Sequence, residues 1–509
     1  MFERLKGVKT DCHPDFQCAE GTRKLILKQV IDWATNETEQ KHEGNTYWIY
    51  SSPGIGKTSL AHSICAGLRE RGRLAGAFFC QRDDAGLSNP NNILPTLIQG
   101  LAEIFPPFRC IVAACLCTDA NLTQESMTFS HFVDFVRKIP RPPKHTLVLV
   151  IDALDECGDN MSRPAILKAM TDAAVCIPWL KIIITSRPES DIQDSFDSLV
   201  QSSYSRYDLN QDLGTTSDLR IFAQSRFRRV ALTRGLESPW PEQSLFDRAI
   251  SRAAGLFIFI ESISLALERC DDPTKYLEAI LQDAAAGTGS VSLSTRYSSI
   301  LRVVRNNHDE FRRMIGVLLA AAPYRPLCDE TIADLTGVQL SLVKMWVTDL
   351  SSLLYRDDGA NGGIRVRHLS ISDFFLSDEC YSDYRVDLRE ATADLGTACM
   401  RTMVEQLRFN ICKLEDSRLA NADVKDLPFR IEANISDALQ YSSLYWSYHV
   451  CIMPENDDHR FWGFLKKFFE GPYALFWIEV LSIMGMVEIG VPSLRRLISA
   501  LVKVSTGLD

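Results

Sequence analysis

The chain has 509 residues, 46% hydrophobic and 24% charged, and a net charge of −10. This is ordinary globular usage: it excludes a disordered or fibrous protein, and at about 150 residues per domain it predicts three or four domains. The acidic balance argues against a nucleic-acid partner, which usually meets a basic surplus. In chain order, the first strong element is a strand, Tyr47-Trp48-Ile49-Tyr50. It runs into Ser51-Ser52-Pro53-Gly54-Ile55-Gly56-Lys57-Thr58, and a helix over residues 59–71 follows, with Leu60, Ile64 and Leu68 at spacing four. A second strand is predicted at 75–80 and a helix around 93–105. Residues 146–151 and 181–185 are continuous apolar runs of the kind a strand shows when both its faces are buried. A fifth strand is predicted at 205–209. Strands alternating with helices at this spacing specify a parallel α/β sheet.

Beyond about residue 212 the apolar spacing becomes helical. One interruption stands out: Leu353-Leu354-Tyr355 and Ile364-Arg365-Val366 flank a turn of Asp357-Asp358-Gly359-Ala360-Asn361-Gly362-Gly363. That pattern predicts a β-hairpin. Helices before it and a helix from Ser370 after it make a winged-helix candidate. The apolar runs 253–267 and 473–487 contain Glu261 and Glu479 and fall short of the ~20 residues a membrane span needs. Both are expected as buried helices, with no membrane span. The N-terminus carries no signal-peptide core. Fifteen cysteines without regular spacing indicate reduced thiols in a cytosolic or nuclear protein, and the expectation is cytoplasmic. The sequons at Asn36, Asn121 and Asn434 are then irrelevant. Cys110, Cys115 and Cys117 lack a second ligand pair, so buried helix thiols are expected there rather than zinc. Tyr441, Tyr445, Trp446 and Tyr448 are expected to pack helices, and Arg226, Arg228 and Arg229 to be solvated or paired within the chain.

Gly54, Ile55, Gly56, Lys57, Thr58 and Ser59 carry the logic of a phosphate-binding loop. Glycines let backbone N–H groups turn inward, and the helix N-terminus adds partial positive charge. Lys57 reaches the β- and γ-phosphates, and the Thr58 hydroxyl serves Mg²⁺. The usual leading glycine is replaced by Ser51, which raises the question of loop geometry, because a Cβ is costly at positive φ. About 90 residues on, a buried strand ends in Asp152, placed to hold the water shell of Mg²⁺ from the side opposite Thr58. Asp155 and Glu156 follow, either to orient or deprotonate an attacking water or as solvated turn acids. Arg187, at the tip of the next strand, either senses the γ-phosphate or is an ordinary surface arginine.

As an ordered set these residues resemble the NACHT family of signalling NTPases, in the STAND class, of the fungal subtype often labelled nephrocystin-like N-terminal. The carriers are Cys18-Ala19-Glu20-Gly21-Thr22-Arg23 with Trp33, the P-loop, the segment from Asp152 to Glu156 (similar to an extended Walker B) and Thr185-Ser186-Arg187-Pro188 (similar to sensor 1). Further on, Ala254-Gly255-Leu256-Phe257 resembles the G-G-L-F lid motif, and His368-Leu369-Ser370-Ile371-Ser372-Asp373-Phe374-Phe375 the winged-helix motif. The resemblance covers roughly residues 15–505. It departs at Ser51, at Ala153 where many members carry glycine, and at Ile371 and Phe375.

The resemblance implies an α/β P-loop NTPase with a 51432-type parallel sheet, then a helical lid, a winged-helix domain and an all-α C-terminal region. The corresponding segments are a lead-in at 1–25, the NTPase at 26–211, the lid at 212–292, the winged helix at 293–378 and the helical region at 379–509. It implies ATP/ADP and Mg²⁺ as cofactors, slow hydrolysis, and His368 reaching the β-phosphate of ADP from the winged helix; a core histidine bonded to a nearby carbonyl is the alternative for that residue. The implied function is a switch, closed with ADP and self-associating with ATP, in fungal self/non-self or immune-type signalling, with protein partners unspecified. Members usually carry an effector module and a repeat array, so a truncated member, a mis-split gene model or a stand-alone switch is expected. A nucleotide-independent scaffold and an efficient P-loop ATPase or kinase are the rival readings.

Overall fold

The computed structural model describes residues 5, 7–8, 12–35, 44–119, 122, 127–199, 203–282, 297–298, 300–301, 304, 306–357, 362–416, 419–450 and 459–506. The sequons at Asn36 and Asn121, the turn residues 358–361 and the boundary expected at 292/293 lie outside them. Two compact units divide the chain, residues 1–291 and 292–509.

The apolar runs become strands because each is buried from both sides. Strand β1 is Thr46–Tyr50, β2 Leu74–Phe79, β3 Leu147–Asp152, β4 Leu180–Ser186 and β5 Tyr204–Asp208. They pair in parallel in the order β2-β3-β4-β1-β5, which from the opposite edge reads 5-1-4-3-2. All six residues of β3 are buried. Its alternate residues serve two cores: Val148 and Val150 pack with Ile26, Leu60 and Ile64, while Leu149 and Ile151 pack with Leu97, Ile98 and Phe132. The first set belongs to α1 (Lys24–Thr35) and α2 (Lys57–Glu70), and the second to α3 (Ile93–Ile104) and α5 (Phe129–Arg137), with α4 (Pro106–Thr118) between them in the chain. Helix α2 begins at Lys57, two residues earlier than its apolar spacing indicated. The remaining helices of this α/β layer are α6 (Ser162–Cys176) and α7 (Ser190–Asp197). Strand β4 lies between β1 and β3, so the C-terminal ends of all three meet at one edge, the usual ligand edge of an open α/β sheet.

The rest of the first unit is helical: α8 (Thr215–Arg234), α9 (Gln243–Ala253), α10 (Phe257–Leu267) and α11 (Pro273–Gln282). Leu219, Phe227, Phe246, Ile260 and Leu277 form their shared core. Arg226 and Arg229 are paired within the chain, to Glu261 at 2.6 Å and Glu268 at 2.9 Å.

The second unit contains α12 (His308–Ala321), α13 (Asp329–Thr336) and α14 (Leu340–Asp349), then β6 (Leu354–Arg356) and β7 (Ile364–Val366), an antiparallel pair with Tyr355 opposite Arg365. Helix α15 (Leu369–Leu376) follows, then α16 (Leu388–Gln406), α17 (Leu427–Asn434), α18 (Asp437–Val450), α19 (His459–Glu470), α20 (Tyr473–Ile483) and α21 (Gly490–Thr506). One core runs through the unit, from Phe311, Trp346 and Phe375 to Met400, Trp446 and Trp477, so residues on both sides of 378/379 share it. The tyrosine cluster packs helices: Tyr441 is fully buried with its hydroxyl 2.9 Å from His449 Nε2.

Two expectations about burial need correction. Cys110 and Cys117 are exposed on α4 and Cys115 is half-buried, because the apolar side of that helix is Phe108, Val112 and Leu116. Helix α20 buries Trp477, Val480 and Leu481 but leaves Leu475 and Ile478 exposed; it is one-sided rather than enclosed. No helix among the described residues is long and apolar enough to cross a membrane.

Helix α3 approaches β2 backbone to backbone at Gly100, where an added Cβ would sit 2.8 Å from the Ala75 carbonyl oxygen and 2.9 Å from Gly76 Cα. Helix propensity alone favours alanine there by about 1 kcal/mol. Gly100→Ala is nevertheless expected to destabilise the protein by about 1–3 kcal/mol through overpacking, read as a lower denaturant midpoint. An unchanged or higher midpoint would show that the helix can move away.

Candidate nucleotide-binding site

The loop after β1 turns on two glycines. Gly54 has φ 82° and Gly56 φ 99°. Ser51 is not among the positive-φ residues, so its Cβ imposes no strain on the loop. Ser51 instead holds the lysine: Lys57 Nζ donates to the Ser51 carbonyl at 2.9 Å, the Ser51 hydroxyl at 3.3 Å and the Ser52 carbonyl at 3.2 Å. Burial lowers the Lys57 pKa to about 8, opposed chiefly by the charge of Asp155. Gly56 caps α2, whose first N–H groups have no partner inside the helix, and Thr58 and Ser59 lie in its first turn. At Gly54 a Cβ would meet Ile258 Cγ2 at 2.5 Å, so the start of α10 presses on the loop. The Ile258 N–H donates to the Gly54 carbonyl at 3.3 Å.

The acidic side lies at the ends of β3 and β4. Asp152 is 1% exposed and accepts the hydroxyls of Thr185 and Thr58. Burial raises its pKa to about 6, against the opposing pull of those two bonds. Ala153 takes a left-handed conformation, φ 52°, with its N–H donated to Thr185 Oγ1 at 3.0 Å. The backbone explains why glycine would suit this position, and Ala254, φ 45°, at the end of α9, is a second case.

The Leu154–Glu156 turn then aims two carboxylates. Asp155 is not a solvated turn acid: it is buried, accepts the Arg187 N–H at 2.9 Å and pairs with Arg187 Nε at 3.2 Å. Arg187 is correspondingly no ordinary surface arginine, with its side chain 15% exposed. Glu156 Oε2 accepts the Arg82 N–H at 3.4 Å, and burial, followed by the charges of Asp155 and Asp152, raises its pKa to about 8.

Lys57, Asp152, Asp155, Glu156 and Arg187 are therefore mutual electrostatic neighbours, and Thr58 joins them through Asp152. A cation-binding hydroxyl bonded to a carboxylate beside a lysine fits Mg²⁺ with a polyphosphate. His368 lies in the second unit and caps α15: its Nδ1 accepts the Ser370 N–H at 3.1 Å and lies 2.7 Å from Ser370 Oγ. Nδ1 is thus the acceptor, which puts the proton of the neutral ring on Nε2.

Several contributors escaped the sequence reading of the site. Thr185 was legible only as part of a motif, Arg82 not at all, and Asn210, whose Oδ1 accepts the Ser52 N–H at 3.0 Å, carries no local signal. A cavity of about 560 Å³ lies in the second unit, bordered by Arg313 and Arg401. These arginines donate to the carbonyls of Thr336, Asp334 and Leu335 at the end of α13.

Residues 21–187 match the family model for the nephrocystin 3 N-terminal region, a span from Gly21 through the P-loop to Arg187. Among solved structures the chain is similar to the Walker-type ATPase of Pyrococcus abyssi, with 13% identity and a TM-score of 0.34, covering 73% of this chain and 99% of that one. A signal-transduction ATPase with numerous domains from Pyrococcus horikoshii, which carries a tetratricopeptide-repeat sensor, gives 14% identity and a TM-score of 0.38 over 95% of this chain and 64% of that one. Cdc6p of Pyrobaculum aerophilum gives 11% and 0.34, over 71% and 96%. No curated protein matches. The order of the sheet, the loop after β1 and the acid ending β3 together make the first unit a P-loop NTPase-type α/β fold.

Proposed function

We propose that this protein is a NACHT-type signalling switch that binds ATP and ADP with Mg²⁺, closed with ADP and self-associating with ATP. The observation that carries the reading is the bond between Thr58 and Asp152 at the mouth of a glycine loop, with Lys57 beside them. Gly54, Ile55, Gly56 and Ser59 would contribute backbone N–H groups to the phosphates, and Thr58 and Asp152 would hold Mg²⁺, which supplies charge neutralisation. The lid at 212–292, the winged helix at 293–378 and the helical region at 379–509 belong to the same reading, supported by helices α8–α11 in the first unit and by the run of helices, hairpin and helix in the second. His368 would donate from Nε2 to the β-phosphate of ADP in the closed form. Fungal self/non-self or immune-type signalling in the cytoplasm is the process this resemblance favours. The net charge of −10 favours nucleotide over nucleic acid as the phosphate partner.

Asp155 and Glu156 take different parts. Asp155 is committed to Arg187 and fixes the guanidinium for the γ-phosphate. Glu156 is the carboxyl left to meet the attacking water; its pKa is raised to about 8, so without nucleotide it holds its proton at neutral pH, and it would serve as base in its ionised form.

Lys57→Ala removes the charge that meets the phosphates and is expected to weaken ATP binding by about tenfold or more, since hydrogen bonds to charged groups contribute about 1.5–3 kcal/mol. Superimposable ATP titrations of wild type and Lys57→Ala would leave the scaffold reading in its place. Glu156→Gln is expected to keep ATP affinity and slow single-turnover hydrolysis by about 100-fold; unchanged turnover would assign Glu156 to the turn alone.

A pH experiment isolates the same carboxyl without nucleotide. The folded protein holds the Glu156 proton up to about pH 8, whereas the ordinary value is 4.5. Between these values the unfolded chain ionises and the folded chain does not, so this residue's contribution to stability falls as pH rises through the window. Glu156→Gln should melt close to wild type near pH 5 and above it at pH 8.5, by about 2–4 °C for each kcal/mol. Burial, the main cause of the Lys57 shift, is common to both proteins. A melting difference that does not widen with pH would place Glu156 in water.

A further inference from the structure

Arg23 is 3% exposed and touches three separate parts of the first unit. One guanidinium nitrogen, Nη1, donates to Asp212 Oδ2 at 2.6 Å and to Thr215 Oγ1 at 2.9 Å, the residue that opens α8. The other, Nη2, donates to the Ile55 carbonyl at 3.0 Å, in the middle of the phosphate loop. The guanidinium lies 5.1 Å from the ring centroid of Phe257, the first residue of α10. Its backbone N–H donates to Asp218 Oδ2 at 3.0 Å, also on α8. Arg23 sits at φ 55°, a left-handed conformation that an arginine seldom takes, so the surrounding contacts hold it there.

A trans peptide points its C=O and the following N–H in opposite directions. With the Ile55 carbonyl held outward by Arg23, the Gly56 N–H must face the other way. The Ile258 N–H does the same for the preceding peptide: it holds the Gly54 carbonyl and so turns the Ile55 N–H. Two successive amides of the loop are thus oriented from behind, one by a side chain anchored to α8 and one by the first turn of α10. An anion on those N–H groups polarises both peptides and strengthens both outer bonds.

We infer that Arg23 is a positioning residue that couples phosphate occupancy of the loop to helices α8 and α10, so that nucleotide binding tightens these helices onto the loop. This rests on the reading that the loop binds nucleotide, and it names the contact by which occupancy leaves the site.

The test is hydrogen–deuterium exchange of peptides covering residues 215–234 and 257–267, with and without MgADP, in the full chain. In wild type MgADP should slow exchange in both. Arg23→Lys keeps the charge but loses the fork, so MgADP should still bind, about tenfold more weakly, while the ADP-dependent protection of α8 is lost. A merely structural arginine would change exchange equally with and without ADP. Thr215→Val removes only the guanidinium's acceptor on α8; it should keep ADP affinity near wild type and lower the protection of α8, and it decides the matter if Arg23→Lys does not fold. Wild-type protection of α8 in the folded variant overturns the inference. So does wild-type binding of MgADP with no protection of either helix, which leaves the nucleotide reading standing; absence of MgADP binding by wild type removes both.

Discussion

Charge taken out of water at one sheet edge is the constraint around which the first unit is arranged. Lys57, Asp152 and Glu156 have pKa values moved to about 8, 6 and 8, each with burial as the first cause. Burying ions costs several kcal/mol apiece unless partners are supplied. The partners come from different strands and loops: Ser51 for Lys57, Thr58 and Thr185 for Asp152, Arg187 for Asp155. Only an order that sets β4 between β1 and β3 brings these groups within reach of each other. A polyphosphate with Mg²⁺ bound there would replace several of these internal contacts.

The loop and its surroundings show how the same constraint is met with unusual residues. Ser51 does what a glycine cannot, since its hydroxyl joins two carbonyls around the lysine. Ala153 and Ala254 both occupy left-handed backbone, at a cost of about 1–2 kcal/mol each relative to a residue without Cβ. The bond from the Ala153 N–H to Thr185 helps to hold the first of them.

Elements whose signal is local were legible in the sequence. Strands β3 and β4 announce themselves as unbroken apolar runs, and the hairpin by its turn; Lys57, Thr58 and Asp152 are set by short motifs. The 5-1-4-3-2 order was available only through resemblance, because nothing in a strand's composition names its neighbour. The pairings of the site were not legible for the same reason. Arg82 with Glu156 and Ser52 with Asn210 join residues 74 and 158 positions apart. Asp155 was read toward an attacking water and Arg187 toward the γ-phosphate, and their mutual pairing appears only once β3 and β4 lie side by side. Cys110 and Cys117 went wrong on helix phase: composition gives a helix with thiols, and only its apolar side decides which thiols face water.

The shared core of the second unit has a consequence for how such a chain can be rearranged by recombination. Phe375, before the junction at 378/379, belongs to the same packed cluster as Leu395, Met400 and Trp446 beyond it. A crossover there would graft half an interior onto a foreign one, and both products would inherit unmatched apolar surface. The division near residue 291 separates two units that each have an interior of their own. Exchange between relatives is therefore physically expensive inside the second unit. The hairpin and the helices after it are a single heritable part.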